Sequence, residues 1–160
     1  MNSTLELPAP AAKTRAPKRK ILLVDDDTGI RRILVRLLTE EDFSVLTAAN
    51  GVEALAMVGS AKFDLVLLDL NMPVKDGWET FEELSANHPP LPIILITARP
   101  NQLFPALASG VGALLEKPLD FAKLFQTIHD LLKESDEMRL ARLAGRSAAF
   151  SYVPPIPAER

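Results

Sequence analysis

The sequence predicts an α/β fold: a parallel sheet of five strands, doubly wound, with helices on both faces. Three observations carry that expectation. Apolar runs alternate with amphipathic segments five times along the chain, the pattern of strand–helix–strand units joined by right-handed crossovers. The apolar runs are continuous rather than alternating. Leu65, Val66, Leu67 and Leu68 stand in a row, as suits a strand covered on both faces. The runs also end in reactive groups. Asp69 closes the central run, Asp25, Asp26 and Asp27 follow the first, Thr97 follows the fourth, and Lys117 follows the fifth. In an open parallel sheet the carboxyl ends of the strands form the edge where ligands bind.

Size and composition agree with one globular core. The chain has 160 residues, of which 48% are apolar, enough for one ordinary domain. A formal charge of −3 gives no reason to expect a nucleic-acid surface. Cysteine is absent, which removes a disulfide framework and thiolate chemistry. No apolar run approaches membrane-spanning length, and the start lacks a basic segment followed by an apolar one. No membrane association is therefore expected, and the expected location is the cytoplasm.

Residues 1–19 are rich in Pro, Ala, Lys and Arg without periodicity and read as a disordered arm, with Lys13, Arg15, Lys18, Arg19 and Lys20 at its positive end. Residues 20–134 read as the domain. Strand one covers residues 21–24. Helix one, residues 28–39, has Ile30, Ile33, Leu34, Leu37 and Leu38 on its apolar face and Arg31, Arg32 and Arg36 in solvent. A short second strand spans 43–47. Asn50 caps helix two, which carries Val52, Leu55, Ala56 and Val58 and stops near Gly59. After the central strand, residues 72–77 form a loop. Asp76 then caps helix three, residues 77–86, with Trp78, Phe81 and Leu84 turned inward as core filling.

His88, Pro89, Pro90 and Pro92 make a stiff connection to strand four at 93–96. Pro100 and Pro105 limit helix four to about 104–109, closed by Gly110. Strand five covers 112–116. Phe121, Leu124, Phe125, Ile128, Leu131 and Leu132 mark the cleanest amphipathic helix, with His129 beside it in solvent. Residues 135–160 read as a short helical extension, with Met138, Leu140 and Leu143 forming a poor apolar face, and a Pro-containing tail. Such a tail cannot make a second core. It either folds back or docks on a partner as an extended peptide.

Asp25, Asp26 and Asp69 at one sheet edge would repel one another unless water screens them, protons neutralise them or a divalent cation holds them. Hard oxygen donors suit Mg²⁺. Calcium would want more protein ligands, and zinc nitrogen or sulfur. A site with Mg²⁺, an ammonium and a hydroxyl suits phosphoryl transfer. An aspartate can then serve as the nucleophile and form an acyl phosphate. Asp69 is the candidate. Asp25 and Asp26 would hold the metal. Lys117 would pair with Asp69 before reaction and with the phosphoryl group after it, and Thr97 would offer its hydroxyl. The plainer alternative is a set of solvated acids beside a surface lysine. Four strand ends of matching chemistry argue against it.

These residues carry a family resemblance. Val24, Asp25, Asp26 and Asp27 resemble the acidic pair after the first strand of receiver domains in bacterial two-component response regulators. The run from Leu67 through Asp69, Asn71, Met72 and Pro73, followed by Asp76 and Gly77, is similar to the phosphoacceptor strand and loop of that family. Thr97 and Ala98 match its switch hydroxyl, and Lys117 and Pro118 its lysine and the proline after it, where the peptide bond is usually cis. The resemblance covers residues 20–134. It implies a CheY-like, flavodoxin-like strand order 2-1-3-4-5 and Asp69 as the phosphorylated residue. A histidine kinase or phosphotransfer protein would be the donor, and Mg²⁺ would sit on Asp25 or Asp26 or both, Asp69 and the backbone carbonyl of Asn71. It further implies slow self-dephosphorylation, tuned from Asn71 and Arg99, and no other enzymatic activity.

The chain departs from the family pattern in two places. The switch aromatic of the fifth strand is Leu114, which offers neither ring nor phenol. The interval from Thr97 to Lys117 is slightly short and holds two prolines. Too few residues follow position 134 for a helix-turn-helix domain, so the expected form is a stand-alone receiver that signals to an output protein by contact. A phosphorylation-independent adaptor on the same scaffold is the alternative. A phosphatase with an aspartyl intermediate would want an acid two residues after the nucleophile, where Asn71 stands, and a cap domain.

Overall fold

The computed structural model describes residues 16–147 and 149–158. Its strands are β1 (Lys20–Val24), β2 (Ser44–Ala48), β3 (Leu65–Asp69), β4 (Ile93–Thr97), β5 (Ala113–Glu116) and β6 (Ser151–Val153). They form one sheet in the order β2-β1-β3-β4-β5-β6, and every neighbouring pair is parallel. Helices α1 (Thr28–Glu40), α2 (Gly51–Ser60), α3 (Gly77–Asn87), α4 (Leu103–Ser109) and α5 (Phe121–Lys133) link the first five strands or follow them, and α6 (Asp136–Leu143) comes after α5. The expected order 2-1-3-4-5 is present, with one strand added beyond β5.

The continuous apolar runs are split by the two-residue period of a strand. Ile21, Leu23, Leu65 and Leu67 meet Leu34 and Leu38 of α1 and Leu124 and Ile128 of α5 on one face. Leu22, Val24, Val66 and Leu68 meet Ala54 and Val58 of α2, Phe81 and Leu84 of α3 and Ala106 of α4 on the other. β3 lies mid-sheet and is buried at all five positions. Five helices begin on a side chain that accepts a backbone N–H of the first turn: Asp27, Asn50, Asp76, Asp120 and Ser135. Each such cap contributes about 1 kcal/mol. Those of Asn50 and Asp76 were expected.

Some expected helix faces are rotated. Ile33 and Val52 are 54% and 56% exposed, Ala56 is also exposed, and Phe121 lies at the rim. Leu34 with Leu38 and Ala54 with Val58 carry the burial instead, because a stripe three to four residues apart does not say which edge faces the sheet. Arg31 is not free in solvent: its Nη1 donates to the Asp25 carbonyl at 2.6 Å. Helix four has seven residues and no side-chain cap, in line with Pro105 near its start. Of the basic arm, Lys13 and Arg15 lie outside the described residues. Lys18 and Arg19 pair with Asp42 and Asp64 at 3.2 and 3.6 Å.

The C-terminal segment takes one of the two courses expected for it: it folds back, and it adds a sixth strand to the sheet. Met138 and Leu140 are exposed, so α6 is held by something other than an apolar stripe. Arg142, only 6% exposed, forms a two-pronged pair with Glu134 at 2.8 and 2.7 Å and donates to the Ala149 carbonyl at 3.0 Å and the Gly110 carbonyl at 3.3 Å. Gly110 and Gly112 leave the room. A Cβ on Gly110 would stand 2.8 Å from the Arg142 carbonyl oxygen, and one on Gly112 2.8 Å from the Leu131 side chain and 3.1 Å from Arg142 Nη2. Removing one partner of a buried pair strands the other. Arg142→Ala is expected to cost the docked extension about 3 kcal/mol. Amide exchange should accelerate across residues 136–158 while β1, β3 and β4 keep their protection.

Candidate functional site

The carboxyl edge of the sheet brings the reactive groups together. Asp69 is the last residue of β3, and Asp25 follows β1 directly; both are 2% exposed. Asp26 is exposed beside them. One carboxylate oxygen from each of the three lies within 4.8 Å of the others. Lys117, just past β5, extends its ammonium to Asp69 Oδ2 at 3.0 Å and Asp25 Oδ2 at 3.2 Å. The other oxygens are held from the backbone: Asn71 N–H donates to Asp69 Oδ1 at 2.9 Å, and Asp27 N–H donates to Asp25 Oδ1 at 2.8 Å. Each buried aspartate is thus gripped on one side by the chain two residues ahead and on the other by Lys117. The Lys117–Pro118 peptide bond is cis.

The loop after Asp69 is shaped by Gly77. A Cβ there would lie 2.4 Å from Leu70 Cα and 2.6 Å from the Asp69 carbonyl oxygen, so only glycine lets α3 begin this close to the end of β3. Gly77→Ala should lower stability by about 2 kcal/mol, measured by denaturant unfolding. Two-dimensional amide spectra should place the disturbance at residues 69–78.

Thr97 is fully buried. Its Oγ1 accepts from the Arg99 N–H at 2.9 Å, and its carbonyl accepts from the Lys117 N–H at 2.8 Å. Among the described residues its hydroxyl has no hydrogen bond to Asp69 or to the Lys117 side chain. Leu114 is 0% exposed within the core. Two contacts at the rim had no signal in the sequence. Arg99 pairs with Asp76 at 3.8 Å, and Trp78 Nε1 donates to Gln102 Oε1 at 2.8 Å. Trp78 is therefore more than core filling: it ties the start of α3 to the loop before α4. Its partner is 24 residues away, and nothing local in either segment announces the pair.

Two buried carboxylates share one ammonium, which leaves a negative excess before Asp26 is counted. Burial pushes the Asp69 carboxyl above the usual carboxylate range. The Asn71 N–H and Lys117 oppose the rise, and the Asp25 charge adds to it. Burial pulls the Lys117 ammonium down, but the hydrogen bond and charge of Asp69 and those of Asp25 outweigh it, and its pKa ends above the ordinary lysine value. For Asp69 the folded state favours the protonated acid. That contribution is complete below the ordinary carboxylate pKa and is lost as pH rises through the raised value. In the absence of divalent metal, Asp69→Asn should therefore be more stable than the parent protein at pH 7. The advantage should shrink as pH falls through the carboxylate range in urea unfolding curves.

The cluster fits a hard divalent cation. Its donors are carboxylate oxygens with no histidine among them, its charge excess is negative, and exposed Asp26 leaves one side open to solvent. Asn71 Oδ1 is also buried without a hydrogen-bond partner among the described residues.

A doubly wound parallel sheet with this order, and with an aspartate–aspartate–lysine cluster at its carboxyl edge, defines the class of receiver modules. The chain belongs to the response regulator receiver domain family, whose model matches residues 21–129. It is 40% identical over 117 residues to the transcriptional regulatory protein GlrR of Escherichia coli, covering 72% of this chain and 26% of that protein. To the transcriptional regulatory protein CpxR of Klebsiella pneumoniae it is 42% identical over 118 residues, covering 72% and 50%. The chain thus spans a quarter to a half of the length of these curated relatives.

Among solved structures, a CheY-like receiver domain protein from Methanospirillum hungatei aligns with a TM-score of 0.69 at 30% identity, covering 76% of this chain and 97% of that one. The response regulator TrrA of Thermotoga maritima, in complex with Mg²⁺ and BeF, aligns at 0.67 and 34% identity, covering 71% and 98%. No helix among the described residues is long and apolar enough to cross a membrane.

Proposed function

We propose that the protein accepts a phosphoryl group on Asp69 from a histidine kinase or phosphotransfer protein and signals in the cytoplasm by contact with an output protein. The observation that carries this reading is the Lys117 ammonium held between Asp69 and Asp25 at the sheet edge. Asp69 Oδ1 is pinned by the Asn71 N–H. Its Oδ2, the oxygen facing Lys117, is left to attack phosphorus. As the new P–O bond forms, the P–N bond of a phosphohistidine donor breaks, and the leaving nitrogen keeps the electron pair and takes up a proton. Lys117 exchanges its hold on the carboxylate for a phosphoryl oxygen, which offsets the charge the group brings.

Asp25, Asp26, Asp69 and the Asn71 carbonyl would hold Mg²⁺, and Mg²⁺ would neutralise the equatorial oxygens of the transferring group. The negative excess of the cluster and the BeF complex of the relative TrrA support that assignment. Thr97 would turn its hydroxyl from the Arg99 N–H toward the phosphoryl group. Arg99 and Asn71, near the same edge, would set the rate at which water removes it. The protein has no other enzymatic role in this reading.

An adaptor whose partner binds irrespective of phosphorylation is the second reading, and buried Leu114 in place of the switch aromatic favours it. One assay separates the two. With Mg²⁺ and acetyl phosphate the intact protein should gain the mass of one phosphoryl group. Asp69→Asn, or chelation of the metal, should abolish the gain. Failure of the parent protein to gain mass, with partner capture equal in parent and Asp69→Asn, would leave the adaptor reading standing.

A further inference from the structure

The outer edge of β5 is covered by the chain's own C-terminal segment, and that cover touches both residues flanking Lys117. β6 pairs in parallel with β5, with Ala113 opposite Ser151, Leu114 opposite Tyr152 and Leu115 opposite Val153. The Ser151 N–H donates to the Gly112 carbonyl at 3.0 Å, and the Ile156 N–H to the Pro118 carbonyl at 3.0 Å. Tyr152 Oη donates to Glu116 Oε1 at 2.7 Å. Val153 is buried against the apolar face beneath α1 and α5. Glu116 and Pro118 thus bind the tail while Lys117, between them, binds Asp69 and Asp25. The tail itself lies past residue 129, where the family match ends, whereas its partners on β5 lie within the match.

We propose that residues 151–156 are a reversible cover on the strand-accepting edge of β5, released when Asp69 is phosphorylated. The inference rests on the phosphoacceptor reading above. Three consecutive residues join the two sites, so a change in what Lys117 holds moves the acceptors that the tail uses. The tail sits on the arrangement set by the Lys117–Asp69 pair. Drawing the ammonium toward a phosphoryl oxygen displaces Glu116 and Pro118 from the positions that fit Tyr152 and Ile156. The released edge then presents unpaired backbone groups, which an extended peptide segment can pair with. Arg142 keeps α6 and Ala149 seated throughout, because its partners Glu134, Gly110 and Ala149 do not border Lys117. Release is therefore confined to the strand.

Coupling between two equilibria is reciprocal. The test uses the full chain with Mg²⁺ and beryllofluoride as the phosphoryl mimic. On adding the mimic, amide exchange at Ser151 and Ile156 should accelerate about fivefold or more, and exchange across α6 should hold steady. Tyr152→Phe removes only the bond to Glu116, and Val153→Asp loosens the strand as a whole. Both should bind beryllofluoride more tightly than the parent, Val153→Asp by about fivefold or more. If the parent binds the mimic while tail exchange and the affinities of both variants stay unchanged, the cover is static and the inference is overturned, with the phosphoacceptor reading intact. If the parent binds no mimic, both fall together.

Discussion

One ammonium placed between two buried carboxylates is the constraint on which this structure turns. Taking Asp25 and Asp69 out of water is costly, and a single lysine offsets only part of the cost. The raised pKa of Asp69 and the raised pKa of Lys117 are two sides of that arrangement. The site is left electrostatically unfinished: it gains from a proton, a cation or a phosphoryl group with its counterion. A chain built for stability alone would bury leucine at these strand ends. The doubly wound fold instead supplies a rigid edge at which β1, β3 and β5 deliver an acid, an acid and a lysine to within hydrogen-bonding distance.

Much of this was legible in the sequence because the signals are local and strong. Continuous apolar runs named β1, β3, β4 and β5, and Asn50 and Asp76 named two helix starts. The chemistry at the strand ends pointed to Asp25, Asp26, Asp69, Thr97 and Lys117, and all five lie at the carboxyl edge. What escaped was set by tertiary context. Ile33 and Val52 fit an apolar stripe as well as their neighbours do, and only the angle of approach to the sheet exposes them. Arg31 looks like a solvated arginine until the Asp25 carbonyl is placed above it. The sixth strand has three residues, too few for periodicity to register. It forms because β5 would otherwise be an open edge and Arg142 delivers the chain to it. A buried arginine within a polar helix gives no sign of its burial in sequence.

The same contacts bear on readout. Leu114 takes the place where the family's aromatic switch usually stands, and it is packed without exposure on the face of the sheet that meets α2, α3 and α4. Position 114 itself carries no ring, and the Tyr152 ring belongs to the residue opposite it in β6. Two other elements reach the neighbourhood: the Trp78–Gln102 bond between α3 and the loop before α4, and the tail strand that grips Glu116 and Pro118. Both are bonded to the segments that flank the site, whereas α4, short and proline-bearing, begins without a side-chain cap among the described residues. These contacts lie in the loops and the tail, around a sheet in which β3 and β4 are buried at every position.

The central claim is that Asp69, and neither Asp25 nor Asp26, is the carboxylate that carries phosphate. Borohydride reduces an acyl phosphate to the alcohol and leaves free carboxylates untouched. After exposure to Mg²⁺ and a phosphoryl donor, reduction and peptide sequencing should find homoserine at position 69 alone. Homoserine at position 25 or 26, or aspartate intact at all three, would contradict the account.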